Sequence, residues 1–462
     1  MMTKLLVFAS LTVLGCVMLS VAAGAPSAKP AAKPLSMHQD AWVAHLLASG
    51  DRVEIGYGLD TPDIKSPTGV LYVRNDLQRG FARLPLKLKG TEFRAVVPGR
   101  LIRGHELLYY AVVREPRSGR SVTVPAGGGR APQSAWILEK PLIVRLGTHR
   151  FGRPRAPEAV VGRAGPAEVG WSGPGDEPSG PETFLVGRDR SIWLDDGYNQ
   201  RLLVWRPGRP DAVPRSVPLP FPPGAGGASD IAFGPAGTLY IIGGVPNPPR
   251  SFLYQLSLAT GKVRWRSRLA GYVGENTALR VGPDGTVYAL AADLGWMPVA
   301  TPAGRPLSMA AQRRRAGYQP VVGGLRLLSE TYAPYAGEGG RHNPPRDVRF
   351  ALIDRNGRLV RAWRVVSRTA INQNFTTPEL VGGDPVVVLD ATAGAGRNFK
   401  LEYVVLRLGP GGTRSRSSLR RTVYGVNLLA DLRVGPDGKL YQLGSSPTTG
   451  VVISRYSLGH VR

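Results

Sequence analysis

The string VGPDGTVYAL at residues 281–290 returns almost unchanged as VGPDGKLYQL at residues 434–443, and FGPAGTLYII at residues 233–242 is a third copy. Similar short strings at such long spacing mark a repeated structural unit. Their chemistry is that of a turn. Pro presets the first turn dihedral, Asp tolerates the second position, and Gly takes positive φ before the chain returns. Each GPDG is therefore expected to close a hairpin, with no catalytic part.

One frame fits more of the chain: apolar-x-apolar, a Gly-containing turn, then apolar-aromatic. It covers residues 184–194, 231–241, 279–289 and 432–442, with weaker copies at 319–329 and 379–389. The anchoring glycines are Gly187, Gly234, Gly282, Gly323, Gly382 and Gly435. Their mean spacing is about 50 residues, and a four-stranded propeller blade needs about 40–50. Six units predict a six-bladed β-propeller. Trp193, Tyr240, Tyr288 and Tyr441, which follow the turns, are expected to pack between blades. Residues 252–265 and 348–363 read as the outer strand pairs of two blades. DRNG at residues 354–357 lacks the further carboxylates of a calcium loop and reads as a turn.

The last unit has three strands by residue 458. A bare outer edge would leave N–H and C=O groups unpaired. EAVVGR at residues 158–163 is expected to pair beside residues 451–458 and close the ring. A chain beginning after Gly147 would then still carry every propeller strand.

Before the repeats, residues 1–25 have the layout of a signal peptide: one Lys, an apolar run, then small residues. Cleavage after about Ala23 competes with a lipobox-like VLGC ending at Cys16, the candidate for lipidation, and with an uncleaved membrane anchor. All three export the rest of the chain. Cys16 is the single cysteine, so the body has no disulfide. Residues 26–40 are rich in Ala, Pro and Lys and read as a linker. Residues 41–147 alternate apolar and polar positions between Gly/Pro/Asp turns, as strands of a β-sandwich do. HELLYYAVVREPRSGRSVTVPAGGG, residues 105–129, resembles the late strands of Ig-like or fibronectin-III-like modules. The expected fold is all-β: an Ig-like β-sandwich, then a six-bladed propeller over residues 148–462.

DRSIWLDDGYNQRLLVW at residues 189–205 resembles the repeat of NHL propellers, with Asp195 or Asp196, Asn199 and Arg201 matching its acidic and Asn-x-Arg positions. The resemblance implies that Arg pairs with the acid and that Asn folds the loop back. It implies a fold and leaves function open, because six-bladed propellers include binding scaffolds, lactonases and lyases.

In a propeller, the loops joining second to third strands share one face with the loops joining blades. Candidate ligand-binding residues on that face are Asp196, Asn199, Glu275, Asn276, His342, Asn372, Asn374 and Asn427, with Trp296 as an apolar platform. No HExxH, G-x-S-x-G or phosphate-loop motif occurs. No cofactor is expected for a binding protein. Calcium or zinc at the channel mouth belongs to the enzymatic alternative, and catalytic residues are not identifiable.

Charge limits the partners. Lys and Arg number 59 against 33 Asp and Glu, a net +26. An exported basic surface attracts anionic envelope polymers or another envelope protein. Nucleic acid is not an expected partner of an exported chain, and membrane association would run through the N-terminus. These features point to a monomeric, extracellular or cell-envelope bacterial protein acting as a non-enzymatic binding or scaffold protein; the alternative is a hydrolase or lyase with a divalent metal.

Overall fold

The computed structural model describes residues 35–39, 45–61, 66–172, 180–181, 183–219, 221, 228–245, 250–271, 278–282, 284–291, 295–314, 325–332, 345–354, 356–373, 379–395, 398–422 and 431–458. Strands dominate, and the one α-helix among these residues is Met309–Arg314. No helix among them is long and apolar enough to cross a membrane. Residues 1–34, with the signal segment and Cys16, lie outside the described residues.

The repeats form six blades. From the axis outward, blade 1 is Phe184–Val186, Ile192–Asp196, Arg201–Trp205 and Arg215–Pro218, and blade 2 is Ala228–Gly234, Thr238–Val245, Arg250–Ser257 and Val263–Arg268. Blade 3 is Leu279–Val281, Val287–Ala291 and Gly295–Ala300. In blade 5 the innermost position is shared by Ala370–Gln373 and Glu379–Val381, followed by Asp384–Ala393, Lys400–Gly409 and Gly412–Arg420. The GPDG turns are hairpins, as their composition predicts. Gly282 N–H donates to Thr286 O at 2.8 Å, and Gly435 N–H to Lys439 O at 2.8 Å. Gly285 and Gly438 take φ of +83° and +69°, a region that penalises a side chain.

Three of the four expected aromatics fill seams; Tyr288 is half-buried and belongs to none of the core clusters. Trp193 packs with Ile231 and Ile241 between blades 1 and 2, and Tyr240 with Leu279 and Val287 between blades 2 and 3. Tyr441 packs with Phe184 and Leu194 between blades 6 and 1. Each large buried side chain of this kind is worth about 3–5 kcal/mol relative to Ala.

Blades 4 and 6 borrow strands. Blade 6 contains Leu432–Val434, Leu440–Ser446 and Gly450–Tyr456, and its outer strand is Ala159–Ala164, antiparallel to Gly450–Tyr456. This is the pairing expected for residues 158–163. Trp205 Nε1–H of blade 1 then donates to Arg163 O at 3.1 Å, tying the closing strand to the next blade. Blade 4 holds Arg326–Tyr332, Asp347–Ile353 and Leu359–Ser367, and its outer strand is Leu142–Gly147, parallel to Leu359–Ser367. Two expectations are corrected here. Leu142–Gly147 belongs to the propeller, not to the preceding unit, because Val144 and Leu146 bury against Val348, Trp363 and Leu406. A chain beginning after Gly147 would therefore lack blade 4's outer strand. Gly323 lies outside the described residues, and Arg326–Tyr332, read as the second strand of its unit, is the innermost strand of blade 4.

The N-terminal unit is one nine-stranded sheet around a single core that includes Ile55, Tyr57, Leu71, Val73, Phe93 and Tyr109. Ala82–Lys89 pairs with Thr68–Asn75 through its first half and with Glu92–Val97 through its last three residues, so it carries the sheet around the core. Met37–Gln39 is already a strand, paired with Val53–Leu59, and Leu35 and Met37 are buried. The span expected to be linker thus ends earlier than residue 40.

The unit rests on blade 4. Leu46 and Leu138 pack against Ala351, Ile353 and Ala362. Glu330 Oε2 accepts the backbone N–H groups of His45 and Leu46 at 2.5 and 2.6 Å.

Candidate functional site

The inner strands carry polar side chains that reach across blades. Asp230 of blade 2 is fully buried. Its Oδ1 accepts from Thr183 Oγ1–H and from Ile231 N–H, both at 2.8 Å, and its Oδ2 from Leu279 N–H at 2.7 Å. Arg433 of blade 6 reaches past blade 1 to form an ion pair with Asp230 and donates through Nε to Phe184 O at 3.2 Å. On the other side, Arg280 of blade 3 reaches past blade 4, and its Nη2 lies 2.9 Å from Glu379 Oε1 of blade 5. Burial lowers the proton affinity of the Arg280 guanidinium, against the attraction of Glu379. Two cations and two anions thus cross the axis and balance in charge. Such a network pins the ring's geometry.

A second polar group sits between blades 5 and 6. Asn372, Asp390 and Tyr403 form one row across three strands of blade 5. Asp431, just before the inner strand of blade 6, is fully buried. Burial pushes its carboxyl up to about 7, opposed by Tyr403 and Arg421 and reinforced by Asp390. Asp431 therefore keeps its proton to higher pH than an exposed carboxyl does. A group of this kind can serve acid–base chemistry where a substrate reaches it, but an enclosed ion-pair network perturbs proton affinity equally well.

Of the sequence candidates, Asp196 and Asn199 come together in blade 1. Asp196 is fully buried and accepts from Gly170 N–H at 2.8 Å, Asn199 Nδ2–H at 2.9 Å and Arg201 Nε–H at 2.8 Å. The pairing with Arg201 is the one the NHL resemblance implies, and it falls on Asp196. These bonds hold the loop Gly197–Asn199 in place, so both side chains are engaged within the fold. Trp296 is buried, with 7% of its surface exposed, and does not stand open as a platform. Asn372 is half-buried in the row with Asp390. Glu275, Asn276, His342, Asn374 and Asn427 lie outside the described residues. Among the described residues no group of three or more His, Cys, Asp or Glu side chains is placed to hold a metal ion.

The sequence candidates did not include Asp230, Arg280, Glu379, Arg433 or Asp431. Arg280 and Arg433 stand at the same place in the repeated LRVGPDG string, the one signal that pointed to them.

Burial also sorts the charges. Eight acidic side chains are buried among the described residues: Glu115, Asp195, Asp196, Asp230, Asp347, Asp384, Glu402 and Asp431. Only two arginines are, Arg280 and Arg349. The outer strands show the converse. Arg264, Arg266 and Arg268 of blade 2 are exposed, as are Arg414, Arg416 and Arg420 of blade 5.

No protein-family model matches the chain, and no curated protein matches it.

Proposed function

We propose that the protein is an exported, non-enzymatic binding or scaffold protein of the bacterial cell envelope, taking anionic envelope polymers on its rim. In this reading the propeller is of the NHL type, as the Asp196–Asn199–Arg201 loop suggests, and the N-terminal unit is Ig-like. The observation that carries the reading is the sorting of charge. Eight acids but only two arginines are buried among the described residues, while exposed arginines line the outer strands of blades 2 and 5. A charge-balanced axis and an arginine-rich rim suit a rigid body that recognises polyanions with its outside.

Export is tested on the full-length chain carrying a C-terminal tag. Protein recovered from the envelope or medium is expected to begin near residue 24, or at a lipidated Cys16. Protein accumulating in the cytoplasm with Met1 intact would overturn the reading.

A further inference from the structure

Two arginine-rich stretches 262 residues apart lie side by side on the outer edge of blade 5. The first is the segment leaving Leu142–Gly147, which crosses blade 5 on its way to blade 6. The second is the strand Gly412–Arg420. Arg155 N–H donates to Ser418 O at 2.7 Å, and Arg155 Nη1 to Ser417 Oγ at 3.2 Å. Arg416 Nη1 donates back to Leu146 O at 2.8 Å. His149 is buried beneath the crossing and bonds Glu402 at 2.8 Å, and Gly152 N–H donates to the same carboxylate at 2.6 Å.

We propose that the strip formed by Arg145, Arg150, Arg153, Arg155, Arg416 and Arg420 is the docking surface for an extended anionic polysaccharide, whose carboxylates the guanidinium groups take. The proposal rests on the polymer-binding reading above and assigns it a place.

Arg145, Arg150, Arg153, Arg416 and Arg420 are exposed. The acids nearby are already engaged. Glu402 is buried and held by His149, Gly152 and Ser418. Asp384 pairs with Arg407 and Arg414, and Glu158, at the far end, pairs with Lys439. The strip is also fixed. Arg368 N–H donates to Gly147 O, and His149 N–H to Thr369 Oγ1, both at 2.8 Å. Cations on a fixed base lose less freedom on binding than cations on a mobile tail. Guanidinium groups match planar carboxylates in a bidentate manner. The strip runs from the edge of blade 4 to that of blade 6, a shape for a linear polymer rather than a single ion. Phe151, the aromatic ring within it, packs edge-on against His149 at 4.6 Å and toward the blade 4–5 core. Phe151 is half-buried there, whereas single-stranded nucleic acid binding relies on open aromatic faces for base stacking. A polysaccharide is therefore favoured over nucleic acid.

The test compares the mature protein with two charge-matched triple variants, using polygalacturonate as probe at about physiological ionic strength. R150Q/R153Q/R420Q removes strip charges that make no bond described above. R264Q/R266Q/R268Q removes three from the outer strand of blade 2. At about fivefold per arginine facing an anionic surface, the strip variant should bind roughly a hundredfold more weakly. The blade 2 variant should stay within about threefold of wild type. The strip variant should keep the wild-type melting temperature, and the blade 2 variant should lose no more than the small contribution of Arg266 over the Phe252 ring. Equal loss in both variants would overturn the strip while leaving polymer binding intact. Failure of the wild-type protein to bind polygalacturonate would overturn both. Binding of a single-stranded oligonucleotide of equal charge as tightly as polygalacturonate would overturn the polysaccharide assignment.

Discussion

Arg349 is fully buried where the N-terminal unit meets blade 4. Its Nη1 lies 2.5 Å from Asp51 Oδ2 and donates to Leu46 O at 2.9 Å, its Nη2 lies 3.2 Å from Asp347 Oδ2, and the guanidinium covers the Tyr332 ring at 3.9 Å. Two carboxylates, a carbonyl and an aromatic face together replace the water that a buried cation loses. Glu330, its cross-strand neighbour, is in a different position. Burial pushes its carboxyl up to about 7, although the His45 and Leu46 amides and Arg349 pull the other way. In the unfolded chain it titrates near 4.5. The folded state therefore holds the proton more tightly, and Glu330's contribution is full below about 4.5 and lost as pH rises through about 7. His45 opposes this, since burial lowers its proton affinity and its contribution fades as pH falls. Glu330→Gln isolates the carboxyl, because the amide oxygen can still accept from both backbone groups. The variant should gain stability over wild type at pH 8 and match it near pH 4.5, as read by denaturant melts. An equal difference at both pH values would contradict the assignment.

At the scale of strands, the parallel addition of Leu142–Gly147 to blade 4 makes a selective prediction. Val144 and Leu146 are buried, whereas Ile143 is 52% exposed. Val144→Asp should cost about 3 kcal/mol or more, since it buries a charge without a partner. Ile143→Asp should change stability by less than about 0.5 kcal/mol. Chemical denaturation of the two variants checks this, and equal effects would remove the strand from the blade. The sequence showed local pairings well. Hairpins at GPDG, the aromatics behind them and the short strand at 158–163 all carry their signal within a few residues, in turn chemistry or alternation. Leu142–Gly147 alternates just as clearly, but alternation names a buried face and not the sheet that buries it. A strand added in parallel from another unit has no turn to announce its partner. The same limit hid the axis. Asp230 and Arg433 are 203 residues apart and meet only because the ring closes. Asp196 and Arg201, five residues apart, were legible as a pair.

For the whole molecule, the net +26 is a property of the sequence, but its placement is a property of the fold. Eight acids but only two arginines are buried among the described residues, so the exposed side chains are more basic than composition alone conveys. The segment between Leu142–Gly147 and Ala159–Ala164 laces blades 4, 5 and 6 and holds arginines at their common edge. Stability and charge presentation thus share one stretch of chain. The most direct measurement is retention of the mature protein on isolated cell envelopes as ionic strength rises. Exposed charges are screened beyond about 8 Å at physiological salt and about 3 Å at 1 M. Binding through the arginine rim predicts strong retention at low salt, a steep fall through the physiological range, and release well below 1 M. Retention unchanged across that range would contradict the account.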